Sequence, residues 1–184
     1  RYASRGLGDV YKRQQINVDD QLHSLGPIGN SFELSPDKSL PLLLGGGVGI
    51  PPIVFFAEAL NANAEQSPLV LMGSEIAFPF ATHNTEKTIP GIPASSCAVM
   101  TELDTLGLDT RLCSMQGYDG FYNGYIHQLA ECWVQQLTVE QRTQVEVFAC
   151  GPEPMLHAFA QFSKQYDLAC LLYTSDAADD RSWV

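Results

Sequence analysis

The stretch "LPLLLGGGVGIPPIVFFAEAL", Leu40 to Leu60, contains the feature that decides the fold. It opens on a continuous apolar run, Leu40–Leu44, as a strand buried on both faces requires. Four glycines and two prolines follow within eight positions. Ile53, Phe56 and Leu60 then recur at the spacing of one helix face. The stretch therefore predicts a buried strand, a tight glycine turn and an amphipathic helix.

The glycine turn has the properties of an anion-binding site. Glycines accept positive φ and let a ligand approach the backbone N–H groups without a Cβ clash. Proline presets φ in the first turn of a helix, so we expect the helix to begin near Pro51 or Pro52. The N-terminus of a helix carries about half a positive charge. The turn therefore suits a diphosphate at the carboxyl end of a sheet strand. A tight structural turn is the alternative, since Ile50 replaces the third glycine of a strict GxGxxG motif.

A second turn of the same kind occurs in "FACGPEPML", Phe148–Leu156. An apolar run ends at Cys150, the chain turns at Gly151 and Pro152, and a helical pattern begins. A thiol at the end of a strand lies near the positive dipoles of a helix N-terminus and can contact a bound ring. The alternative is that Cys150 is a small buried apolar residue.

The remaining pattern alternates between strands and helices. Apolar runs predict buried strands at Pro68–Met72 and Val145–Ala149, and further strands are predicted at Ser96–Met100 and Thr110–Cys113. Helical periodicity predicts helices within Ile126–Leu137 and Pro152–Lys164. Such alternation is typical of an α/β fold, and we predict a doubly wound parallel sheet with right-handed crossovers.

The composition excludes several classes of partner. The formal net charge of −11 disfavours nucleic acid and anionic membrane surfaces. The run Val48–Leu60 is too short and too interrupted to span a bilayer. The five cysteines are dispersed and form no CxxC pair. We therefore expect reduced thiols and a cytoplasmic protein.

The two ends of the chain are related through the genetic code. The segment Asp9–Gln14, "DVYKRQ", can be encoded by GATGTGTATAAGAGACAG. The reverse complement of this DNA, read one base in, encodes "CLLYTS", which is Cys170–Ser175. The DNA resembles the end of a transposase-type sequencing adapter. We therefore expect residues 1–14 and 170–184 to be adapter-derived and leave them out of the fold prediction. A native tail with an accidental match is the alternative.

Three motifs carry a resemblance to a known family. They are "LGPIGNSF" (Leu25–Phe32), "LLLGGGVGIPPI" (Leu42–Ile53) and "VFACGPEPML" (Val147–Leu156). Together they resemble the ferredoxin–NAD(P) reductase superfamily and, more specifically, the electron-transfer subunit of type B dihydroorotate dehydrogenase. The resemblance covers nearly all of residues 15–169. It implies that 15–36 is the end of a β-barrel FAD-binding domain, that 37–169 is an NAD-binding domain, and that the chain is truncated at both ends.

The resemblance also implies roles for individual residues. The diphosphate of NAD would lie on Gly45, Gly46, Gly47, Val48, Gly49 and Ile50. The nicotinamide would be bordered by Cys150, the candidate catalytic residue, and by Gly151, Pro152 and Glu153. The flavin would lie beside Gly26, Pro27, Gly29 and Asn30.

A third candidate segment, Gly73, Ser74 and Glu75, follows the second predicted strand. Folds of this type bind the adenine ribose at this position. A carboxylate here can accept a hydrogen bond from a free 2′-hydroxyl and would repel a 2′-phosphate. Glu75 therefore favours NAD over NADP, with a solvated loop residue as the alternative.

The resemblance implies an electron-transfer function for the intact parent protein. Electrons would pass between a catalytic dihydroorotate dehydrogenase subunit, the partner in a hetero-oligomer, and NAD through FAD and a [2Fe–2S] cluster during pyrimidine biosynthesis. Hydride would move between nicotinamide C4 and flavin N5, and the protein would supply binding and orientation. The family's Arg-x-Tyr/Phe-Ser/Thr flavin motif is absent, and no cysteines have cluster spacing. We therefore expect no metal site in this chain and no activity from it alone.

Two other hypotheses fit the same motifs. The chain can be the NAD(P)-binding domain of another ferredoxin- or sulfide-linked flavin reductase. It can also be a non-catalytic nucleotide-binding module.

Overall fold

The computed structural model describes residues 32–62 and 68–174. The strands are β1 (Leu40–Gly46), β2 (Leu69–Gly73), β3 (Thr82–Asn84), β4 (Ala98–Met100), β5 (Asp109–Cys113), β6 (Val145–Gly151) and β7 (Ala169–Thr174). The helices are α1 (Ile50–Ala62), α2 (Thr101–Thr105), α3 (Ile126–Gln136), α4 (Val139–Thr143) and α5 (Glu153–Tyr166), with a short 3₁₀ turn at Gly47–Gly49. No helix in the described ranges is long and apolar enough to cross a membrane.

Five strands form one parallel sheet in the order β5-β2-β1-β6-β7. From β1 the chain first extends the sheet toward β2 and β5, and later returns to the other side of β1 to add β6 and β7. The winding therefore reverses between β1 and β6. The predicted α/β class with a doubly wound parallel sheet is confirmed.

The apolar strands bury both faces of this sheet. Leu42 and Leu44 point into a core formed with α3 and α5, whereas Leu43 points into a core formed with α1 and α2. Successive side chains of a strand alternate between faces, so a strand covered on both sides is apolar at every position. This explains the continuous run at the start of the glycine stretch.

An aromatic cluster fixes α1 to the sheet. Phe148 of β6 is fully buried, and its ring centroid lies 4.9 Å from that of Phe56 on α1. Phe32, before β1, lies 5.4 Å from Phe148 and 4.9 Å from Tyr173 of β7. The cluster therefore ties together four separate parts of the chain: the segment before β1, α1, β6 and β7.

The predicted strand at Ser96–Met100 is present as β4, but it lies outside the parallel sheet. It pairs antiparallel with β3. A parallel partner would need a crossover connection, usually helical. Here the connecting segment closes on itself through a hydrogen bond from Thr85 N–H to the Cys97 carbonyl, 2.9 Å, and returns the chain beside β3.

Strand β7 extends the sheet beyond the predicted domain boundary at residue 169. It pairs in parallel with β6, with Cys150 opposite Tyr173. Cys170 and Leu172 pack against the α3–α5 core. This strand was not predicted, because the residues from Cys170 onward were expected to be adapter-derived. The adapter origin of these residues stays a prediction.

A buried carboxylate on β6 depends on a single serine. Glu146 is 4% exposed, and its two carboxylate oxygens accept hydrogen bonds from the Ser35 N–H (2.8 Å) and the Ser35 hydroxyl (2.9 Å). Replacing Ser35 with alanine removes a charge-assisted hydrogen bond in a buried site. We expect Ser35→Ala to lower the free energy of unfolding by about 1.5–2 kcal/mol, measured by urea denaturation.

Ser39→Ala is the matched control for this prediction. The Ser39 hydroxyl donates to Gln144 Oε1 at 3.4 Å in an exposed setting, so we expect a change near zero. Equal effects of the two substitutions would show that the Glu146 carboxylate does not depend on Ser35.

Candidate functional site

The two glycine turns meet at one edge of the sheet. Gly45 of β1 lies opposite Cys150 of β6, so the turns that follow these strands are neighbours. On the other side of β1, Gly46 lies opposite Gly73 of β2. Doubly wound sheets bind ligands outside the carboxyl ends of their strands, at the point where the winding reverses. Both turns lie at that point.

The first turn leaves the N-terminus of α1 open. Helix α1 begins at Ile50, one residue before Pro51, and the Ile50 N–H donates to the Gly47 carbonyl. Pro51 and Pro52 have no N–H, so the free backbone donors here belong to the 3₁₀ turn. No acidic side chain lies in the first helical turn, and Val48 is 71% exposed. The positive end of the helix dipole therefore has no carboxylate in its own first turn to balance it.

The glycines of this turn are required for different reasons. Gly47 has φ of 54°, and a Cβ added there would meet nothing within 4 Å. A Cβ on Gly49 would lie 2.1 Å from the Cys150 carbonyl oxygen, because the turn packs on the end of β6. A Cβ on Gly46 would lie 2.2 Å from the Met155 sulfur. Gly47 therefore borders open space, whereas Gly46 and Gly49 leave room for neighbouring protein atoms.

Met155 of α5 lies between the two turns. A Cβ added to Gly151 would be 2.0 Å from Met155 Cε, on the same side chain that contacts Gly46. The thioether therefore fills the space that two missing side chains leave. Of the other residues proposed to border the nicotinamide, Pro152 and Glu153 are exposed, and Glu153 lies in the first turn of α5.

Cys150 is buried rather than open to solvent. It is 5% exposed and packs in the α1–α2 core with Leu43 and Ile50. Burial raises the pKa of its thiol. The side chain is therefore a protonated thiol at neutral pH, which is not the nucleophilic form.

Burial raises the pKa of three thiols, Cys113, Cys150 and Cys170, from the ordinary value of 9.0. In each case the folded state holds the proton more tightly than the unfolded chain does. Their contribution to stability is therefore complete below about pH 9 and is lost as the pH rises through the folded pKa. We expect the free energy of unfolding to fall above pH 9, by up to about 1.4 kcal/mol per pH unit for each thiol.

Urea denaturation at pH 8 and pH 10 measures this fall, and Cys113→Ala provides the comparison. Removing the Cys113 thiol should make the loss of stability between the two pH values smaller. An identical loss in the variant would assign the alkaline destabilisation to other groups.

The segment after β2 is held between two strands. The Ser74 N–H donates to the Cys113 carbonyl (3.3 Å), and the Ser74 hydroxyl accepts from the Ile76 N–H (3.2 Å). The Gln116 side chain donates to the Glu75 carbonyl (3.2 Å). The Glu75 side chain is exposed. A fixed backbone therefore presents a carboxylate at the same edge as the glycine turns.

An aromatic cleft lies beyond Glu75, and the sequence analysis did not predict it. Its rings come from Phe78 and Phe80 after β2 and from Tyr118 and Phe121 after β5. Neighbouring ring centroids are 4.9 to 5.7 Å apart, and the cleft has a volume of about 200 Å³. Aromatic side chains that line a cleft of this kind can stack on a planar ring of a ligand. The available signal was a set of aromatic residues in two glycine- or proline-containing loops that follow neighbouring strands.

The flavin and metal predictions fall largely outside this edge. The four residues proposed to contact the flavin lie outside the described residues: Gly26, Pro27, Gly29 and Asn30. Within residues 32–62 and 68–174, no group of three or more His, Cys, Asp or Glu side chains is arranged to hold a metal ion. The described residues therefore do not fit a [2Fe–2S] cluster.

The chain is similar in sequence to several curated proteins, although no family model matches it. It is 33% identical over 160 residues to the dihydroorotate dehydrogenase B (NAD(+)), electron transfer subunit, of Listeria welshimeri, covering 86% of this chain and 51% of that protein. The subunit of the same name from Lysinibacillus sphaericus is 30% identical, over 81% of this chain and 46% of that protein. The one from Caldanaerobacter subterraneus is 28% identical, over 92% of this chain and 55% of that protein. The chain spans about half the length of these relatives, and the predicted resemblance is confirmed.

Solved structures share the fold at low sequence identity. The ferredoxin reductase in carbazole 1,9a-dioxygenase (FAD apo form) matches with a TM-score of 0.55 and 17% identity, covering 81% of this chain and 39% of that one. The flavohem-like FAD/NAD-binding domain of nitric oxide dioxygenase from Vibrio cholerae matches with a TM-score of 0.52 and 15% identity, covering 80% and 56%. The fold is therefore ferredoxin-reductase-like.

Proposed function

We propose that the chain is the NAD-binding part of an electron-transfer subunit. Its parent would pass electrons between a catalytic dihydroorotate dehydrogenase subunit and NAD through FAD and a [2Fe–2S] cluster, in pyrimidine biosynthesis. The observation that carries the proposal is the meeting of the two glycine turns at the point where the sheet reverses its winding. The sequence similarity to electron transfer subunits of dihydroorotate dehydrogenase B supports the same assignment.

Different residues of the chain would contact different parts of NAD. The backbone donors at Gly47 and Val48, with the open N-terminus of α1, are suited to the diphosphate. The edge formed by Cys150 and Gly151 would border the nicotinamide, with Met155 filling the space behind it. When bound, NAD supplies the hydride chemistry. The residues of this edge bind the nucleotide, orient it and exclude water.

The adenosine end would extend across β2 toward β5. Glu75 would accept a hydrogen bond from the ribose 2′-hydroxyl, and the aromatic cleft lined by Phe78 and Phe121 would stack on the adenine. The Glu75 carboxylate would repel a 2′-phosphate, so we propose NAD rather than NADP as the nucleotide. The alternative role of Glu75 as a solvated loop residue predicts no preference between them.

Titration of the purified 184-residue chain with NADH, NADPH and FAD tests this proposal. We expect NADH to bind weakly, NADPH more weakly still, and no flavin to stay bound through purification. Reversal of the order of the two nucleotides would contradict the role of Glu75. Retained FAD would contradict the proposal that this chain carries only the end of the flavin domain, residues 15–36, before an NAD-binding domain at 37–169.

Gly47→Val tests the diphosphate position. The branched side chain would project into the open space above the turn, so we expect loss of NADH binding. Gly107→Val is the matched control, because Gly107 also has a positive φ (81°) and an added Cβ would meet nothing within 4 Å. Both variants should lose stability through backbone strain, about 1–2 kcal/mol. Unchanged NADH affinity in Gly47→Val would show that the diphosphate does not rest there.

The alternatives differ from this proposal in what they predict. Another ferredoxin- or sulfide-linked reductase would share the nucleotide edge but not the catalytic partner. A co-purification experiment with a dihydroorotate dehydrogenase catalytic subunit and the full-length parent separates these two. A non-catalytic module would bind NADH but would not support NADH oxidation even within the full-length parent.

A further inference from the structure

The loop of residues 85–97 forms a compact unit away from the nucleotide edge. Its ends are joined by the hydrogen bond from Thr85 N–H to the Cys97 carbonyl, 2.9 Å. Ile89 is buried in the α3–α5 core, and Gly91, with φ of 84°, packs against the backbone of α3. Compact loops with close ends are often functional. This loop is anchored on the sheet and has a preformed inner surface.

A cavity of about 190 Å³ lies between this loop and strand β5. Its polar lining includes Thr85, Thr88, Ser96 and Arg111. A water molecule needs roughly 10–15 Å³, whereas sites for drug-sized ligands usually exceed about 300 Å³. The cavity therefore has room for a molecule of a few heavy atoms.

The side chain of Arg111 is a buried cation in the lining of this cavity. The residue is 2% exposed, its Nη1 donates to the Thr110 carbonyl (2.6 Å), and its Nη2 donates to the Lys87 carbonyl. Its Nε–H is buried and has no acceptor among the described residues. Within these residues no carboxylate comes within 4.0 Å of the guanidinium, since the nearby Asp109 pairs with Lys87 at 2.7 Å.

A buried guanidinium without a contacting anion is costly. Burial lowers the pKa of Arg111, although the field of Asp109 opposes this change. The two bonds to carbonyl oxygens use two of the five N–H donors of the guanidinium. The Nε–H is among the donors that have no acceptor. The structure thus places an incompletely paired guanidinium in the wall of a cavity whose lining also includes hydroxyl groups.

We propose that the cavity between the 85–97 loop and β5 binds a small carboxylate, which accepts hydrogen bonds from the Arg111 guanidinium and from hydroxyl groups of the lining. The planar guanidinium matches the geometry of a carboxylate. Glu86 on the lining and Asp109 beside Arg111 disfavour a doubly charged anion such as phosphate. The site is independent of the proposed NAD edge, because Arg111 lies in the middle of the edge strand β5.

Nitrogen-15 NMR of the 184-residue chain tests the proposal through the arginine Nε–H signals. Sodium acetate is the probe, with sodium chloride at matched ionic strength. We expect one Nε–H signal, assigned by its loss in Arg111→Lys, to shift with acetate and to saturate in the millimolar range. An unsaturable shift, an equal shift with chloride, or tighter binding of inorganic phosphate than of acetate would overturn the proposal.

Two variants sharpen the test. Ser96→Ala removes a buried hydroxyl from the lining, and we expect it to weaken acetate binding about tenfold. Arg142→Lys is the control, because Arg142 also donates to backbone carbonyls, those of Val134 and Gln135, but lies elsewhere. Unchanged affinity in Ser96→Ala, or an equal loss in Arg142→Lys, would contradict the site. If Arg111→Lys does not fold, the Nε–H signal is assigned through its correlations to the Arg111 backbone, and the wild-type and Ser96→Ala titrations decide the outcome.

Discussion

Gly49→Ala is expected to lower the free energy of unfolding by about 3 kcal/mol, and to abolish NADH binding. An alanine Cβ would lie 2.1 Å from the Cys150 carbonyl oxygen and 2.6 Å from the Gly151 nitrogen. Both atoms belong to the backbone of β6, which is paired with β1 on one side and with β7 on the other. Neither can move without loss of sheet hydrogen bonds, so the turn itself must rise from the sheet.

Urea denaturation and an NADH titration measure the two effects. Gly117→Ala is the control, since Gly117 has φ of 69° and an added Cβ would meet nothing within 4 Å. The control contains backbone strain without a clash, and should cost about 1 kcal/mol without affecting binding. Equal destabilisation by the two substitutions would show that the glycine turn does not rest on β6.

Phe148→Ala should be still more destabilising, by about 3–5 kcal/mol. The Phe148 ring is fully buried, and it contacts Phe56 of α1 and Phe32 before β1. Its removal leaves a cavity beneath α1 that the surrounding sheet cannot fill. Helix α1 would then lose the contact between Phe56 and β6.

Phe55→Ala is the matched control on the same helix. The Phe55 side chain is 75% exposed, so its truncation should change the free energy of unfolding by less than about 0.5 kcal/mol. Calorimetry or urea denaturation can compare the pair. A loss below about 1 kcal/mol in Phe148→Ala would contradict the packing described for the α1 face of the sheet.

The sequence predicted β1, β2 and β6 from largely apolar runs, because burial on both faces leaves few polar positions to blur the pattern. It also predicted β5, although that strand contains Asp109, Thr110 and Arg111. The strands β1, β2, β5 and β6 lie within two residues of their predicted bounds at both ends. Strand β3 and helix α2 were missed. Strand β3 is exposed at all three positions, and α2 is only five residues long, so neither has enough buried positions to give a periodic signal.

The site was predicted in part. Each glycine turn carried a local signal, and the parallel fold predicts that they share an edge. The aromatic cleft had no local motif, only aromatic residues in two separate loops. Phe78 and Phe121 meet through the pairing of β2 with β5. Sequence also cannot distinguish a glycine that admits a ligand from one that admits a neighbouring side chain. Gly47 borders open space, whereas the adjacent Gly46 leaves room for the Met155 side chain.

The position of Met155 gives the two halves of the site an adjustable spacer. Its thioether touches the first turn at Gly46 and the second at Gly151. Methionine is unbranched and has three rotatable bonds, so a rotamer change alters the gap without moving either strand. Under the proposed function, rotation of this single side chain would adjust the seat of the nucleotide while the sheet stays fixed.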